Sequence, residues 1–412
     1  MHSFELYLVK YMTIAFRSGC LLLALCLFAR GADPLYAREP ASTSSTSNLD
    51  QDTSGPIDET ARSTDSAQTE TQPRENENSR KGSFVVAPIP ISSPAIGTGA
   101  VLALGYIFPL SKTDTVSPPS VIGALGLYTN NDTRAFALGG QFYFKQNTYK
   151  VTAGYGRGTV NYDLYGPADS EALKLPLQQT GQLFRGEFLR RLAWNFFLGP
   201  RFSTGSSTIT RRSDSSNTVT PPPDLGLNTT LTALGVTLTR DTSLNRFYPT
   251  SGTYFKFTSD FFSQSLGSKY SFQSYVTTFA KYWNVSESQV LAYDAYFCAT
   301  GGTPPFYGNC IYGASNQLRG YAAGKYFDRY MLTTQVEYRL TLPMRFGVVA
   351  FGGIGEAIPG GDQLLFRNNN FLPGGGGGLR FQLSKQYHVN LRADLAGSKD
   401  GHTFSLGMGE AF

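Results

Sequence analysis

The chain has 412 residues with 44 Gly, 24 Tyr and 30 Phe, yet only 16% of its residues are charged, well below the quarter typical of a soluble domain. Aromatic residues at 14% exclude a chain disordered throughout, and so few charges argue against nucleic-acid binding. Mean hydropathy is slightly negative, and the only long apolar run lies before residue 30, so membrane-spanning helices are excluded and many amphipathic strands are expected.

Residues 1–37 read as an export signal. Arg17 precedes the apolar run from Cys20 to Ala29, which is too short to span a bilayer, and Leu35-Tyr36-Ala37 offers a cleavage site, with Ala32 the second choice. Met12 is the expected start. Residues 38–82 are rich in Ser, Thr, Gln and acidic side chains and nearly devoid of large apolar ones, so a disordered polar periplasmic tail is expected. That segment carries a net charge of −4 and leaves +8 on residues 83–412. This balance suits either anionic lipid or solutes, or an ordinary solvated surface.

From residue 83 the apolar pattern repeats every two residues. Leu332, Val336, Tyr338 and Leu340 point one way, and Thr333, Gln335, Glu337 and Arg339 the other. Phe255, Phe257 and Phe261 oppose Tyr254, Lys256 and Asp260, and Leu391, Ala393 and Leu395 oppose Arg392 and Asp394. The segments are long for soluble strands, and aromatic pairs such as Tyr282-Trp283 gather at their ends. Both features favour a transmembrane barrel with an apolar wall and a charged lumen over a soluble sandwich. The expectation is an all-β, antiparallel transmembrane barrel over 83–412 with about sixteen strands, the last covering 402–412. Its final strand would place Phe404, Leu406, Met408 and Phe412 on one face as a C-terminal insertion signal, with Glu410 a departure from an apolar position. Cys298 and Cys310 flank a Gly/Pro-rich stretch and suit a disulfide stapling one surface loop. Two Cys with His388 and His402 fall short of a zinc site, no nucleophile–base pairing supports an enzyme, and no cofactor is expected.

Between the eleventh and twelfth expected strands lies Leu318-Arg319-Gly320-Tyr321. Upstream, Thr239–Thr253 forms a strand-turn-strand segment with Asp241, Arg246, Pro249 and Gly252; downstream, Gly374–Arg380 precedes Leu391-Arg392-Ala393-Asp394-Leu395. On these motifs residues 84–412 resemble the BamA/TamA barrels of the bacterial surface antigen family, which assemble or translocate proteins at the outer membrane. The resemblance implies that the sixth extracellular loop folds into the lumen, where Arg319 meets an inward carboxylate, Glu337. The family's second acidic position falls near Gly353, so Glu356 or Asp394 is the expected substitute. Arg339, Arg380 and Arg392 would form a lumenal charge ladder, and Asp241 with Arg246 would tie the base of the hairpin that Pro249 and Gly252 turn. An ordinary surface loop and a wall-stabilising charge ladder are the bland alternatives. The family's usual periplasmic POTRA domains have no counterpart in 38–82, so a member lacking them is expected. Gly407 and Gly409 would weaken the seam between the first and last strands. The implied function is protein insertion or passage; the alternative is a passive channel or a structural barrel. Expected partners are outer-membrane lipid and a periplasmic accessory protein or protein substrate, with no nucleic acid.

Overall fold

The computed structural model describes residues 82–93, 96–111, 113–165, 174–212, 228–244, 248–311, 318–321, 326–358, 371–384 and 389–412. The expected export signal, nearly all of the polar segment and Arg246 lie outside them. The strands are β1 (Ser83–Ser93), β2 (Gly97–Phe108), β3 (Ser120–Thr129), β4 (Arg134–Phe144), β5 (Tyr149–Tyr165), β6 (Lys174–Arg191), β7 (Phe197–Arg211), β8 (Asn228–Asp241), β9 (Gly252–Phe262), β10 (Phe272–Ser286) and β11 (Gln289–Gly302). After a small two-stranded sheet, β12 (Cys310–Ile311) with β13 (Phe327–Asp328), come β14 (Tyr330–Thr341), β15 (Phe346–Ile358), β16 (Leu372–Ser384), β17 (Val389–Ser398) and β18 (Gly401–Met408).

Sixteen of these strands, β1–β11 and β14–β18, close one antiparallel barrel in chain order, with β18 returning to β1. Closure satisfies the backbone donors and acceptors that no lipid can satisfy. The two-residue alternation decides which side chains face where. In β14, Thr333, Gln335, Glu337 and Arg339 are buried while Val336 and Tyr338 are exposed. Apolar residues such as Phe136, Leu138, Phe188, Leu234, Leu379 and Leu395 cover the outside.

The two rims differ. Connections at the rim where β1 begins include the tight turns 145–148, 287–288 and 342–345, whereas the opposite rim carries 303–329. Barrels of this kind have short periplasmic turns and longer extracellular loops, which orients this one.

The last strand departs from the expectation of 402–412. β18 ends at Met408; Gly409 takes φ +78°, a left-handed conformation that few other residues adopt, and its N–H donates to the Asn390 carbonyl (2.7 Å). The chain then turns into the barrel. Phe404 remains outside, 51% exposed, but Phe412 is buried against Tyr254, Ala280, Tyr282 and Ala292, and Met408 packs with Ile89 and Ile91. The four apolar residues therefore do not share one face, because a strand's alternation stops where its backbone turns. The seam is correspondingly thin. β1 pairs with β2 at every residue from Ser83 to Ser93, but with β18 the one registered pair among the described residues is Ser92 with Leu406.

Candidate functional site: a lumenal charge network

The site begins with the loop between β11 and β14. Its root is held by the disulfide between Cys298 on β11 and Cys310 on β12, with Cα atoms 5.8 Å apart. This bond is not on the surface, as the spacing suggested. Both cysteines are buried with Leu318, Tyr321, Met331 and Leu372, because the loop descends into the lumen and brings its stem against the wall.

The loop tip lies on a floor of glycines. A side chain at Gly353 would meet Leu318 Cδ1 at 2.9 Å, and one at Gly374 would meet the Arg319 carbonyl at 2.6 Å. The missing acidic residue at 353 is thus replaced by space for the tip itself. Gly320 sits at φ +111° with its carbonyl accepting from Ser398 Oγ (2.7 Å), and the Tyr321 hydroxyl donates to the Pro373 carbonyl (2.6 Å). Tyr321 belongs to the loop, outside the spanning strands; burial, with Asp400 nearby, pushes its hydroxyl up to about 12, so it remains a donor at neutral pH.

Arg319 uses all three of its nitrogens. Nη2 lies 2.6 Å from Glu337 Oε2, Nη1 donates to Asp394 Oδ2 at 2.9 Å, and Nε donates to Gln335 Oε1 at 3.1 Å. Its planar guanidinium lies 3.4 Å above the centre of the Phe351 ring. Such a fork, flat and always charged, suits two carboxylates and an aromatic face at once, which a lysine could not do. Of the two expected substitutes for the second acid, Asp394 makes this contact. Glu356 is buried elsewhere on β15.

Glu337, completely buried, passes the charge network onward. Its Oε1 accepts from Arg339 Nε at 2.7 Å, while Arg380 Nη2 stands 3.7 Å from Oε2. Arg380 also bonds Asp394 Oδ1 (2.6 Å) and Glu410 Oε2 (2.7 Å), and Arg392 lies 3.5 Å from Asp394. Gly378 leaves room for the pairing of Asp394 with Arg380. Glu410, unexpected in an outward strand, is an inward anchor whose other oxygen accepts from Asn390 Nδ2 at 2.7 Å. Arg339 finally reaches the periplasmic end, donating to the main-chain oxygen of Phe412 (2.8 Å) and the Pro249 carbonyl (3.2 Å). Gly252, at φ +95°, completes that hairpin, and Asp241 Oδ1 accepts from the Ser243 amide and hydroxyl at its base.

Sequence reading missed Gln335, Phe351, Glu410, Asn390 and Pro249 as members of this network. Gln335 and Glu410 carried a signal, an inward position for one and a polar intrusion for the other; the Pro249 carbonyl carried none. A second cluster occupies another part of the wall: Arg201 Nε lies 3.1 Å from Asp260 and 3.8 Å from Glu187, and Lys256 lies 3.8 Å from Glu187. Among the described residues no group of His, Cys, Asp and Glu is arranged to hold a metal ion.

A closed sixteen-stranded barrel with an inward loop and an inward C-terminal segment invites comparison with known proteins. The Omp85 superfamily domain matches residues 126–412, most of the chain. The chain belongs to the Omp85 superfamily. Solved structures agree on the fold. The crystal structure of BamA from Haemophilus ducreyi lacking POTRA domains 1–3 superposes with a TM-score of 0.54 at 13% identity, covering 80% of this chain and 70% of that one. CdiB from Escherichia coli gives 0.54 at 13% identity, covering 79% of this chain and 62% of its own. CdiB from Acinetobacter baumannii gives 0.50 at 10%, covering 79% and 59%. The Omp85 chain thus spans less than two thirds of either CdiB structure. No curated protein sequence matches it. As an Omp85 barrel it is an outer-membrane protein, and its apolar outer wall faces lipid.

Proposed function

We propose that this Omp85 barrel assists the insertion or passage of proteins at the outer membrane, with movement at the β1–β18 seam and release of the inward loop as its working steps. The observation that carries the reading is an imbalance. Charge-paired side chains cross the lumen from the loop tip to the C-terminal segment, while among the described residues the wall is held at one seam by a single registered pair. A passive channel needs the reverse, a clear lumen and an even wall. Residues 1–37 serve as the export signal and 38–82 as a periplasmic segment in this reading, which rests there on composition alone.

The test is a cysteine pair at Ser92 and Leu406, the facing residues of the seam. Oxidised, it should abolish client insertion or secretion while the barrel itself still inserts and folds, and reduction should restore activity. Full activity in the oxidised form would overturn the proposal. In planar bilayers the barrel should be mostly closed; a steady, open, weakly selective pore would favour the passive channel instead.

A further inference from the structure

On the outer face near the periplasmic rim, cations recur at the ends of every second strand: Lys145 just after β4, Arg190 in β6, Arg240 in β8 and Lys281 in β10. Alternation fixes their direction. Leu189, Thr239 and Tyr282 are buried inward, so Arg190, Arg240 and Lys281 share the outward face with Phe188 and Trp283. Neighbouring strands stand roughly 4.8 Å apart, so the four charges span an arc of about 30 Å on the wall.

Each cation has an aromatic neighbour. Lys145 Nζ lies 5.8 Å over Tyr149, which stacks on Phe188 at 5.6 Å and faces Arg190 across the sheet. Arg240 lies 5.6 Å over Phe196 and faces Phe255, and Lys281 lies 5.9 Å over Trp283. Among the described residues no carboxylate pairs with these four. The acids at this rim are committed or off the wall: Asp114 accepts the amides of Val116, Ser117 and Gln146, Asp241 accepts from Ser243, and Glu287 sits in the β10–β11 turn. Exposed Trp194, whose carbonyl accepts from Arg240 Nε (2.9 Å), and Trp283 border the same arc.

Aromatic rings at the headgroup level, with outward cations beside them and no anion on the wall, complement phosphate. The rim is periplasmic, so the phosphate available there belongs to glycerophospholipid rather than lipopolysaccharide. We infer that the β4–β10 arc is a binding surface for anionic glycerophospholipid headgroups, fixing the barrel's depth and orientation in the periplasmic leaflet through Lys145, Arg190, Arg240 and Lys281.

Trp194 and Trp283 are the chain's two tryptophans and both report on this arc. In phosphatidylcholine vesicles, brominated phosphatidylglycerol should quench their fluorescence far more than brominated phosphatidylcholine at equal mole fraction. Each cation changed to Gln should lower that enrichment roughly fivefold at low salt, and the control pair Arg134→Gln and Arg157→Gln, outward cations toward the other rim, should leave it intact. All four changes together should abolish the preference, and where that variant does not fold, Lys281→Gln alone is read beside its Trp283 reporter. Equal quenching by both lipids in the wild type, an undiminished preference in the variants, or stronger displacement by lipopolysaccharide than by phosphatidylglycerol would each overturn the inference.

Discussion

Replacing Glu337 by Gln removes one negative charge from a place no water reaches. Four guanidinium groups, Arg319, Arg339, Arg380 and Arg392, converge there on three carboxylates, Glu337, Asp394 and Glu410. Counting these side chains alone, cations exceed anions by one, and the substitution widens that excess to two. Glu337 also forms the shortest Arg319 ion pair, 2.6 Å, and accepts the 2.7 Å bond from Arg339. Breaking a buried pair by deleting one partner costs about 3–5 kcal/mol. The barrel wall cannot dissipate that strain, but the loop tip can withdraw, so the cost should appear as loop release. Every 1.4 kcal/mol is about tenfold, so the population with Arg319 undocked should rise by at least about a hundredfold. The assay is protease cleavage in the 303–329 loop of the reconstituted barrel, with cleavage slow relative to reclosing so that rates follow the open population. The double variant Arg319→Ala/Glu337→Gln should be cleaved no faster than Arg319→Ala, because the two act on one contact. Wild-type cleavage rates for Glu337→Gln, or additive effects in the double variant, would refute the reasoning.

Further outcomes follow from neighbouring contacts. Gly320→Ala should also free the loop, at a cost of about 1–3 kcal/mol, since φ is +111° and the added carbon would stand 2.9 Å from the Gly397 carbonyl; the same cleavage assay checks it. Cys298→Ser should lower unfolding stability by about 3 kcal/mol for the short closed segment, read by denaturant titration in detergent. Tyr321 has a raised folded-state value, so its hydroxyl's contribution is fully present below about 10 and is lost as pH climbs toward about 12. Loop cleavage should therefore rise over that window in the wild type and show less change in Tyr321→Phe, which never had the bond to Pro373. Glu410→Gln should loosen the C-terminal segment from Arg380 and raise the exposure of Phe412, measured by accessibility of a cysteine placed at Ala411.

The barrel was readable because its physics is local. Lipid on one side and charge on the other impose a two-residue alternation, and that pattern gives strand number and facing directly. The end of β18 was not readable in this way. Alternation assumes an extended backbone, and nothing in Gly407-Met408-Gly409-Glu410 states that the chain turns inward at Gly409 rather than continuing to Phe412. Glu410 marked the place as a charge at an apolar position, and the inward turn gives it Arg380. At the site, the Arg-Gly-aromatic motif pointed to Arg319 and Glu337, whose approach follows from the loop's descent. The selection of Asp394 over Glu356 depended on the stagger between β15, β16 and β17, which brings Gly378 opposite Asp394 and fixes which carboxylate reaches the tip. Phe351 beneath the guanidinium has the same origin. Stagger is a property of the closed barrel as a whole and leaves no mark on any one strand.

The inward turn at Gly409 also leaves something behind. β18 stops where β1 continues toward the periplasm, so the amides of Phe84 and Val86 and the carbonyls of Phe84, Val86, Pro88 and Pro90 point toward a neighbour that has left the wall, the two prolines having no N–H to leave unpaired. Hydrocarbon cannot satisfy those groups, and water or headgroups must. That narrow strip of the periplasmic half-wall should therefore be wet, the amides of Phe84 and Val86 trading hydrogen for deuterium far faster than those facing β2. Hydration enters the bilayer there before any strand has moved.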